Sequence, residues 1–223
     1  MSRQDILSNI RRSLGASAND KARQENAAAR IATPPRAPAP QRVSAPGTDL
    51  VACFVSELER QLATVKTVAT AEEIPLEIAA YLRSQNQPQT VRFGTDPMLA
   101  SLDFAASGLE VNNGRAEPSD TAGLSVAFGG IAETGTLALL SGAENPVTLG
   151  FLPDTHIAVI RQSRIKATYE DIFALLRNEK GAGTMPRTLN LISGPSRTAD
   201  IGGRIVIGAH GPRRLLAIVV SSL

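Results

Sequence analysis

Short aliphatic runs, separated by polar turns and helix-like segments, limit most strongly how this chain can fold. Residues 124–128, 156–160 and 215–220 are runs of this kind, built mainly from Val, Ile, Leu and Ala. Aromatic residues make up only 4% of the chain, so aliphatic side chains must form the core. Continuous aliphatic strands are typical of buried parallel sheets rather than of aromatic-rich β-sandwiches.

The order of the predicted elements indicates the fold class. Strands predicted at 65–69, 90–93 and 109–111 alternate with helices predicted at 50–63 and 70–84. After residue 120 strands predominate, with one helix; the strands are predicted at 124–128, 136–140, 156–160, 189–192, 204–207 and 215–220, and the helix at 168–177. We therefore predict a layered α/β domain with a mostly parallel sheet and an added hairpin or small second sheet in its strand-dense second half.

The first 49 residues differ from the rest. Apolar residues recur at helical spacing near the start, which predicts an N-terminal amphipathic helix over 1–15, and five prolines between 34 and 46 predict a flexible linker over 16–49. The α/β domain is then expected at 50–223. Residues 1–49 carry eight Lys/Arg and four Asp/Glu, against 15 and 17 in the remainder. The basic charge thus belongs to the tail, and the body gives no sign of a nucleic-acid surface.

Composition excludes several kinds of site and partner. The single cysteine, Cys53, excludes a disulfide framework and a four-cysteine iron–sulfur site within this chain. The two histidines, His156 and His210, are widely separated in sequence, so no zinc site is predicted. No apolar run reaches the roughly 18 residues of a membrane span, and the N-terminus lacks the apolar region of a signal peptide. We expect a cytoplasmic protein with no membrane span and no bound metal.

A glycine-rich turn at residues 129–136 (GGIAETGT) interrupts a strongly apolar region. Backbone N–H groups at Gly135, together with the hydroxyls of Thr134 and Thr136, form a predicted site for an anionic group. Glu133 is the one acid of this turn. Its carboxylate would act as a base, a nucleophile or a hydrogen-bond clamp, or would simply cap neighbouring N–H groups.

A second polar segment, residues 194–212, follows the apolar run 189–192. The hydroxyl of Ser196 or Thr198 is predicted to cap a short helix that runs through Asp200. Arg197 would then face a bound carboxylate or phosphate, or pair with Asp200 or with the acid of the other turn.

His210 lies among small residues in the sequence Gly-Ala-His-Gly-Pro. It is interpreted as a general acid or base, or as a structural hydrogen bonder. The dinucleotide-binding, phosphate-loop and Gly-x-Ser-x-Gly signatures are absent from the sequence, so nucleotide-dependent and triad-hydrolase functions have no sequence support.

Four segments, in this order and spacing, resemble the lactate utilization protein C family (LutC/YkgG, the LUD domain). They are IAETGT at 131–136, LPDTHI at 152–157, GPSRTADI at 194–201 and GAHGP at 208–212. The resemblance extends over nearly the whole chain. It implies a layered fold similar to the NagB/RpiA/CoA-transferase superfamily. It also implies a role in oxidising L-lactate to pyruvate in a cytoplasmic complex.

The resemblance further implies two partners of the LutA and LutB type that carry the iron–sulfur clusters, with no cofactor in this chain. We therefore expect a non-cluster subunit of an L-lactate-oxidising system, with lactate as a possible small carboxylate ligand. The alternative is a stand-alone enzyme of the CoA-transferase or sugar-phosphate-isomerase kind that uses Glu133. In either case Glu133, Arg197, Asp200 and His210 are expected to converge on one face of the fold.

Overall fold

The computed structural model describes residues 2–15, 17, 20–33, 36–181 and 183–222, without the side chains of residues 200 and 201. The contacts divide the chain into two compact units, residues 1–38 and residues 39–223. The smaller unit contains helices α1 (Arg3–Ser13) and α2 (Lys21–Ala32). Helix α1 lies within the range 1–15 predicted for an N-terminal helix. Its start is fixed by a capping box, in which the Ser2 and Asp5 side chains each accept a hydrogen bond from the other's backbone N–H.

Helix α2 corrects the prediction of a flexible linker over 16–49. The prolines that suggested a linker lie at residue 34 and beyond, whereas the stretch that forms α2 contains none. That stretch is rich in Ala, Arg, Gln and Glu, which are among the strongest helix formers. Asp20 caps the helix by accepting a hydrogen bond from the Arg23 N–H at 3.1 Å. Local propensity is thus sufficient to explain a helix where overall composition suggested a linker.

The larger unit also begins before the predicted boundary at residue 50. A single helical turn, α3 (Gln41–Ser44), places Val43 in the hydrophobic core beside Phe54 and Leu58. Only 4% of Val43 is exposed. Composition alone predicts a linker in this proline-rich region, so the predicted start of the domain at residue 50 leaves out the core residue Val43.

We expect Val43→Ala to lower the free energy of unfolding by about 1–2 kcal/mol, because it removes two buried methyl groups and leaves a small cavity. Urea denaturation followed by circular dichroism would measure the change. Ile31→Ala is a suitable control, because Ile31 is 81% exposed in α2 and its loss should change stability by less than about 0.5 kcal/mol. Equal effects of the two substitutions would contradict the placement of Val43 in the core.

Among its described residues, the larger unit contains four further α-helices and twelve strands, together with short 3₁₀ turns. The helices are α4 (Leu50–Arg60), α5 (Ile74–Ser84), α6 (Pro97–Ala100) and α7 (Tyr169–Lys180). The strands are β1 (Thr64–Val68), β2 (Thr90–Phe93), β3 (Glu110–Asn113), β4 (Ala122–Val126), β5 (Gly129–Ile131), β6 (Thr136–Leu140), β7 (Thr155–Arg161), β8 (Ile165–Lys166), β9 (Leu189–Ile192), β10 (Arg197–Ile201), β11 (Arg204–Ile207) and β12 (Arg214–Val220). No described helix is both long and apolar enough to cross a bilayer.

The main sheet has six strands in the order β1-β12-β7-β4-β2-β3, and every neighbouring pair is parallel. The predicted mostly parallel α/β architecture is therefore confirmed. One face of the sheet packs against α5 through Ile74, Ile78 and Leu82. The other face packs against α4 and against a second sheet. Burial on both faces explains why the central strands are continuous aliphatic runs.

The second sheet contains four strands in the order β8-β5-β6-β9, and β10 pairs with β11 in a separate antiparallel hairpin. This hairpin corrects the prediction of a short helix capped by Ser196 or Thr198. Its loop consists of Gly202 and Gly203, which both have positive φ, at +63° and +72°. Two consecutive residues of this kind form the tight turns that match the twist of a β-hairpin. The Gly-Gly pair therefore decides the local structure.

Candidate functional site

A cavity of about 300 Å³ lies at the amino ends of β7 and β12. It is built from the turn that follows β9, the segment between β11 and β12, and the loop before β7. The lining residues are Gly150, Phe151, His156, Leu191, Ile192, Ser193, Gly194, Pro195, Ser196, Arg197, His210, Gly211, Pro212 and Leu215. Three of the segments singled out in the sequence therefore contribute to one concave surface.

Backbone hydrogen bonds at Ser196 hold two of these segments together. The Ser196 N–H donates to the Pro212 carbonyl at 2.9 Å, and the Ser196 carbonyl accepts from the Gly208 N–H at 2.8 Å. Gly194, with φ at +95°, lies so close to α4 that an added Cβ would be 2.3 Å from the Gln61 carbonyl oxygen. Glycine is required there by both conformation and space. The cavity wall is thus fixed by the backbone.

Arg197 and His210 supply polar side chains to the rim of the cavity. Both residues are exposed and both line the cavity. The Arg197 guanidinium donates a hydrogen bond to the side-chain oxygen of Gln61. A guanidinium held at the mouth of a concave site can bind a carboxylate or phosphate through its remaining N–H groups.

His156 contributes a buried imidazole to the same cavity. It is 1% exposed, and its Nε2 lies 2.6 Å from the Oγ of Ser125, which is 2% exposed. Burial lowers the pKa of His156 to about 4, so the ring is neutral near pH 7. Its Nδ1 is buried and has no hydrogen-bond partner among the described residues. An unpaired buried polar atom is energetically costly unless a partner satisfies it.

Glu133 lies outside the set of residues that line this cavity. Its Oε1 accepts a hydrogen bond from the Tyr169 N–H at 3.3 Å, at the first residue of α7. Its carbonyl oxygen accepts one from the Arg42 guanidinium at 2.7 Å. A carboxylate at a helix N-terminus is stabilised by the free N–H groups and the helix dipole. This geometry matches the capping role among the alternatives considered for Glu133.

The hydroxyl groups that follow Glu133 form a hydrogen-bonded network. The Thr136 Oγ1 lies 2.7 Å from the Thr134 Oγ1, 3.1 Å from the Tyr169 hydroxyl and 2.6 Å from the Ser193 Oγ. Ser193 in turn lines the cavity. Gly135, between the two threonines, packs against the backbone of α4. The network therefore supports the cavity wall from behind, and its threonines are engaged with protein groups.

The predicted convergence of four polar residues holds for two of them. Arg197 and His210 line one cavity with Ser196, whereas Glu133 caps α7. Thr198 is placed in β10, where it pairs with β11. The side chain of Asp200 lies outside the described residues.

Sequence reasoning missed His156 and Ser125 as site residues. Both lie inside aliphatic strands, β7 and β4. The signal that could have revealed His156 was its position in the LPDTHI segment, one of the four that carried the family resemblance. Ser125 carried no such signal, because its pairing with His156 depends on the register between the two strands.

The sequence of this chain is similar to one protein family and to several known proteins. A family model described as the LUD domain matches residues 51–220. An uncharacterized protein of Neisseria meningitidis serogroup B is 42% identical over 44% of this chain and 42% of its own length. Lactate utilization protein C of Geobacillus thermodenitrificans is 38% identical over 47% of this chain and 45% of its own length. The alignments thus span about half the length of the curated relatives.

A solved structure gives a comparison over more of the chain. The crystal structure of a DUF162 family protein from Deinococcus radiodurans has a TM-score of 0.57 and 27% sequence identity. The match covers 77% of this chain and 96% of that protein. The same fold therefore extends beyond the segments that carry the sequence similarity.

Proposed function

This chain belongs to the LUD domain family, and on that premise we propose that it acts in lactate utilization as a non-cluster subunit of an L-lactate-oxidising system. Several similar proteins bear the name lactate utilization protein C, which supports the pathway. In the proposed role the cavity beside His156 binds a small carboxylate, with lactate as the expected ligand. The proposed setting is the cytoplasm.

The unpaired Nδ1 of His156 is the observation that carries the proposed ligand site. In the tautomer where Nε2 accepts from the Ser125 hydroxyl, Nδ1 carries a proton and is a donor. A carboxylate or hydroxyl oxygen would satisfy it. At the rim of the cavity, the Arg197 guanidinium is suited to the carboxylate and the Ser196 hydroxyl can donate a second hydrogen bond. This combination of neutral and charged donors suits a short 2-hydroxy or 2-oxo acid.

Oxidation of lactate to pyruvate releases two electrons and two protons, which need acceptors. The sequence contains a single cysteine, so it cannot supply the four thiolates of a typical iron–sulfur cluster. We propose that two partners of the LutA and LutB type hold the clusters and accept the electrons. This chain would then bind or position the substrate, or hold the assembly together.

A stand-alone transferase or isomerase that uses Glu133 has weaker support. The Glu133 carboxylate accepts a hydrogen bond from the backbone of α7 and is not among the residues lining the cavity. The alternative therefore lacks a residue in the position that its chemistry would require.

We expect a strain without this gene to lose growth on L-lactate and to regain it when the wild-type gene is supplied. Arg197→Gln should restore growth poorly, because it removes the charged donor at the cavity rim. Binding of L-lactate to the purified assembly, measured by calorimetry, should weaken about tenfold for the same variant.

Arg204→Gln is the matched control, because Arg204 is an exposed arginine of the neighbouring strand β11 and does not line the cavity. It should restore growth fully. Normal growth of the deletion strain, in the absence of another lactate dehydrogenase, would refute the proposed pathway. Lactate binding that is equally weak for Arg197→Gln and Arg204→Gln would refute the proposed ligand site.

A further inference from the structure

A second cleft, of about 450 Å³, lies at the opposite end of the main sheet, beyond the carboxyl ends of its strands. It is lined by residues that follow the carboxyl ends of three neighbouring strands. Asp96 follows β2, Ala127 and Phe128 follow β4, and Arg161 ends β7. None of the four segments that resemble the lactate utilization family contributes to it. The cleft is therefore distinct from the cavity beside His156.

The topology of the sheet favours ligand binding at the carboxyl ends of these strands. The connection from β2 leads to β3 on one side, whereas the connections from β4 lead to β7 and then β12 on the other. The strand order therefore reverses between the neighbouring strands β2 and β4. In open α/β sheets, such a reversal leaves a crevice at the carboxyl ends of the strands, where ligands commonly bind. The observed cleft occupies this position.

Three basic side chains line the cleft: Arg161, Arg164 and Lys180. Arg164 is held in place, because its guanidinium pairs with Glu179 and lies 5.5 Å from the centroid of the Phe128 ring. For Arg161 and Lys180, no hydrogen bond or ion pair is found among the described residues. Two positive charges on different elements, β7 and the last turn of α7, are thus available to a ligand.

Two acids, Asp96 and Glu144, also line the cleft. The Asp96 carboxylate accepts hydrogen bonds from the N–H groups of Met98 at 3.0 Å and Leu99 at 3.1 Å, and so caps α6. Glu144 is exposed to solvent, where water screens its charge. Asp96 is thus engaged with backbone N–H groups, and an anion in the cleft would meet Arg161 and Lys180 as its donors.

The loop that forms the other wall is fixed by the fold. The Thr95 N–H donates to the Ala143 carbonyl at 3.2 Å, and the Ser141 Oγ accepts from the Thr188 N–H at 2.9 Å. Asn145 donates through Nδ2 to the Leu140 carbonyl at 3.1 Å, but its Oδ1 is buried with no partner among the described residues. A ligand with a hydroxyl or amino group can satisfy this acceptor.

We propose that this cleft binds a phosphorylated small molecule that also carries a hydroxyl or amino group. Arg161 and Lys180 hold the phosphoryl oxygens, and the Asn145 Oδ1 accepts the hydrogen bond from the ligand. A phosphoryl group has three acceptor oxygens and a charge near −2, which matches two available cations better than a single carboxylate does.

Glycerol 3-phosphate is a suitable probe, because it combines a phosphoryl group with hydroxyl donors. We expect saturable binding to the full chain in an NMR titration, with shifts at the amides of Phe128 and Gly142. Arg161→Gln combined with Lys180→Gln should weaken binding at least tenfold. Methyl phosphate, which lacks the hydroxyl donors, should bind more weakly than glycerol 3-phosphate.

Lys66→Gln is the control for charge, because Lys66 is an exposed lysine of the edge strand β1 and does not line the cleft. The affinity of the Lys66→Gln variant for glycerol 3-phosphate should equal that of the wild type. The proposal would be overturned by the absence of saturable binding, or by equal losses in Lys66→Gln and the double variant. Binding of malate as tightly as glycerol 3-phosphate would overturn the phosphorylated class of ligand.

Discussion

Replacing Gly135 with alanine is expected to lower the free energy of unfolding by about 2–5 kcal/mol. The φ of Gly135 is +60°, a left-handed conformation that costs an alanine about 1–2 kcal/mol. An added Cβ would also be 2.3 Å from the Leu58 backbone nitrogen and 2.6 Å from the Glu57 carbonyl carbon. These are backbone atoms of a packed helix, so the overlap can be relieved only by moving α4, at a further cost of about 1–3 kcal/mol.

Gly202→Ala separates the two contributions to this effect. Gly202 has nearly the same φ, at +63°, but an added Cβ there would have no neighbour within 4 Å. The control should therefore lose only about 1–2 kcal/mol, the cost of the left-handed conformation. Urea denaturation of both variants would measure the difference. Equal losses of unfolding free energy in the two variants would show that the close contact between the turn and α4 does not affect stability.

Lowering the pH from about 6.5 to about 4 is expected to reduce the free energy of unfolding through His156. Burial lowers the pKa of His156 to about 4 in the folded state, against 6.5 for an unperturbed imidazole. Between these values the unfolded chain binds the proton and the folded chain does not, so acid favours unfolding. The contribution is fully present above pH 6.5 and amounts to about 3 kcal/mol, which is lost progressively towards pH 4.

His156→Gln is the variant that isolates this titration, because glutamine can still hydrogen-bond to Ser125 but does not bind a proton in this range. We expect the variant to be less stable than the wild type at pH 7 and to show a flatter dependence on pH between 6.5 and 4. Chemical denaturation at several pH values would measure both properties. Identical slopes for the two proteins would mean that acid sensitivity in this range arises elsewhere.

Elements with local signals could be predicted from the sequence. Thr70 and the acids that follow it predict a helix after residue 70, and a capping box between Thr70 and Glu73 starts the 3₁₀ turn that leads into α5. The helix predicted to begin at Thr168 is capped by that residue through the N–H of Asp171. Strands β6 and β9 match the predicted apolar runs because each run is bounded by polar turns. In each case neighbours in the sequence decide the structure.

Features that depend on contacts between distant segments could not be predicted in the same way. The unpaired Nδ1 of His156 and its hydrogen bond to Ser125 follow from burial between two strands 31 residues apart in sequence. The engagement of Glu133 with α7 follows from the packing of its turn against a helix 36 residues away. A residue type limits the roles that a side chain can take, and the tertiary neighbours then select one of them.

Strand β7 links the two concave surfaces of this protein. His156 stands near its amino end and Arg161 at its carboxyl end, a separation of roughly 16 Å along an extended strand. The strand is paired with β12 over seven residues and with β4 over five, and it is buried on both faces. The two ends are therefore farther apart than the roughly 7–10 Å within which substitutions usually couple. Substitutions at the two ends should therefore combine additively, and either surface can change its chemistry while the other keeps its own.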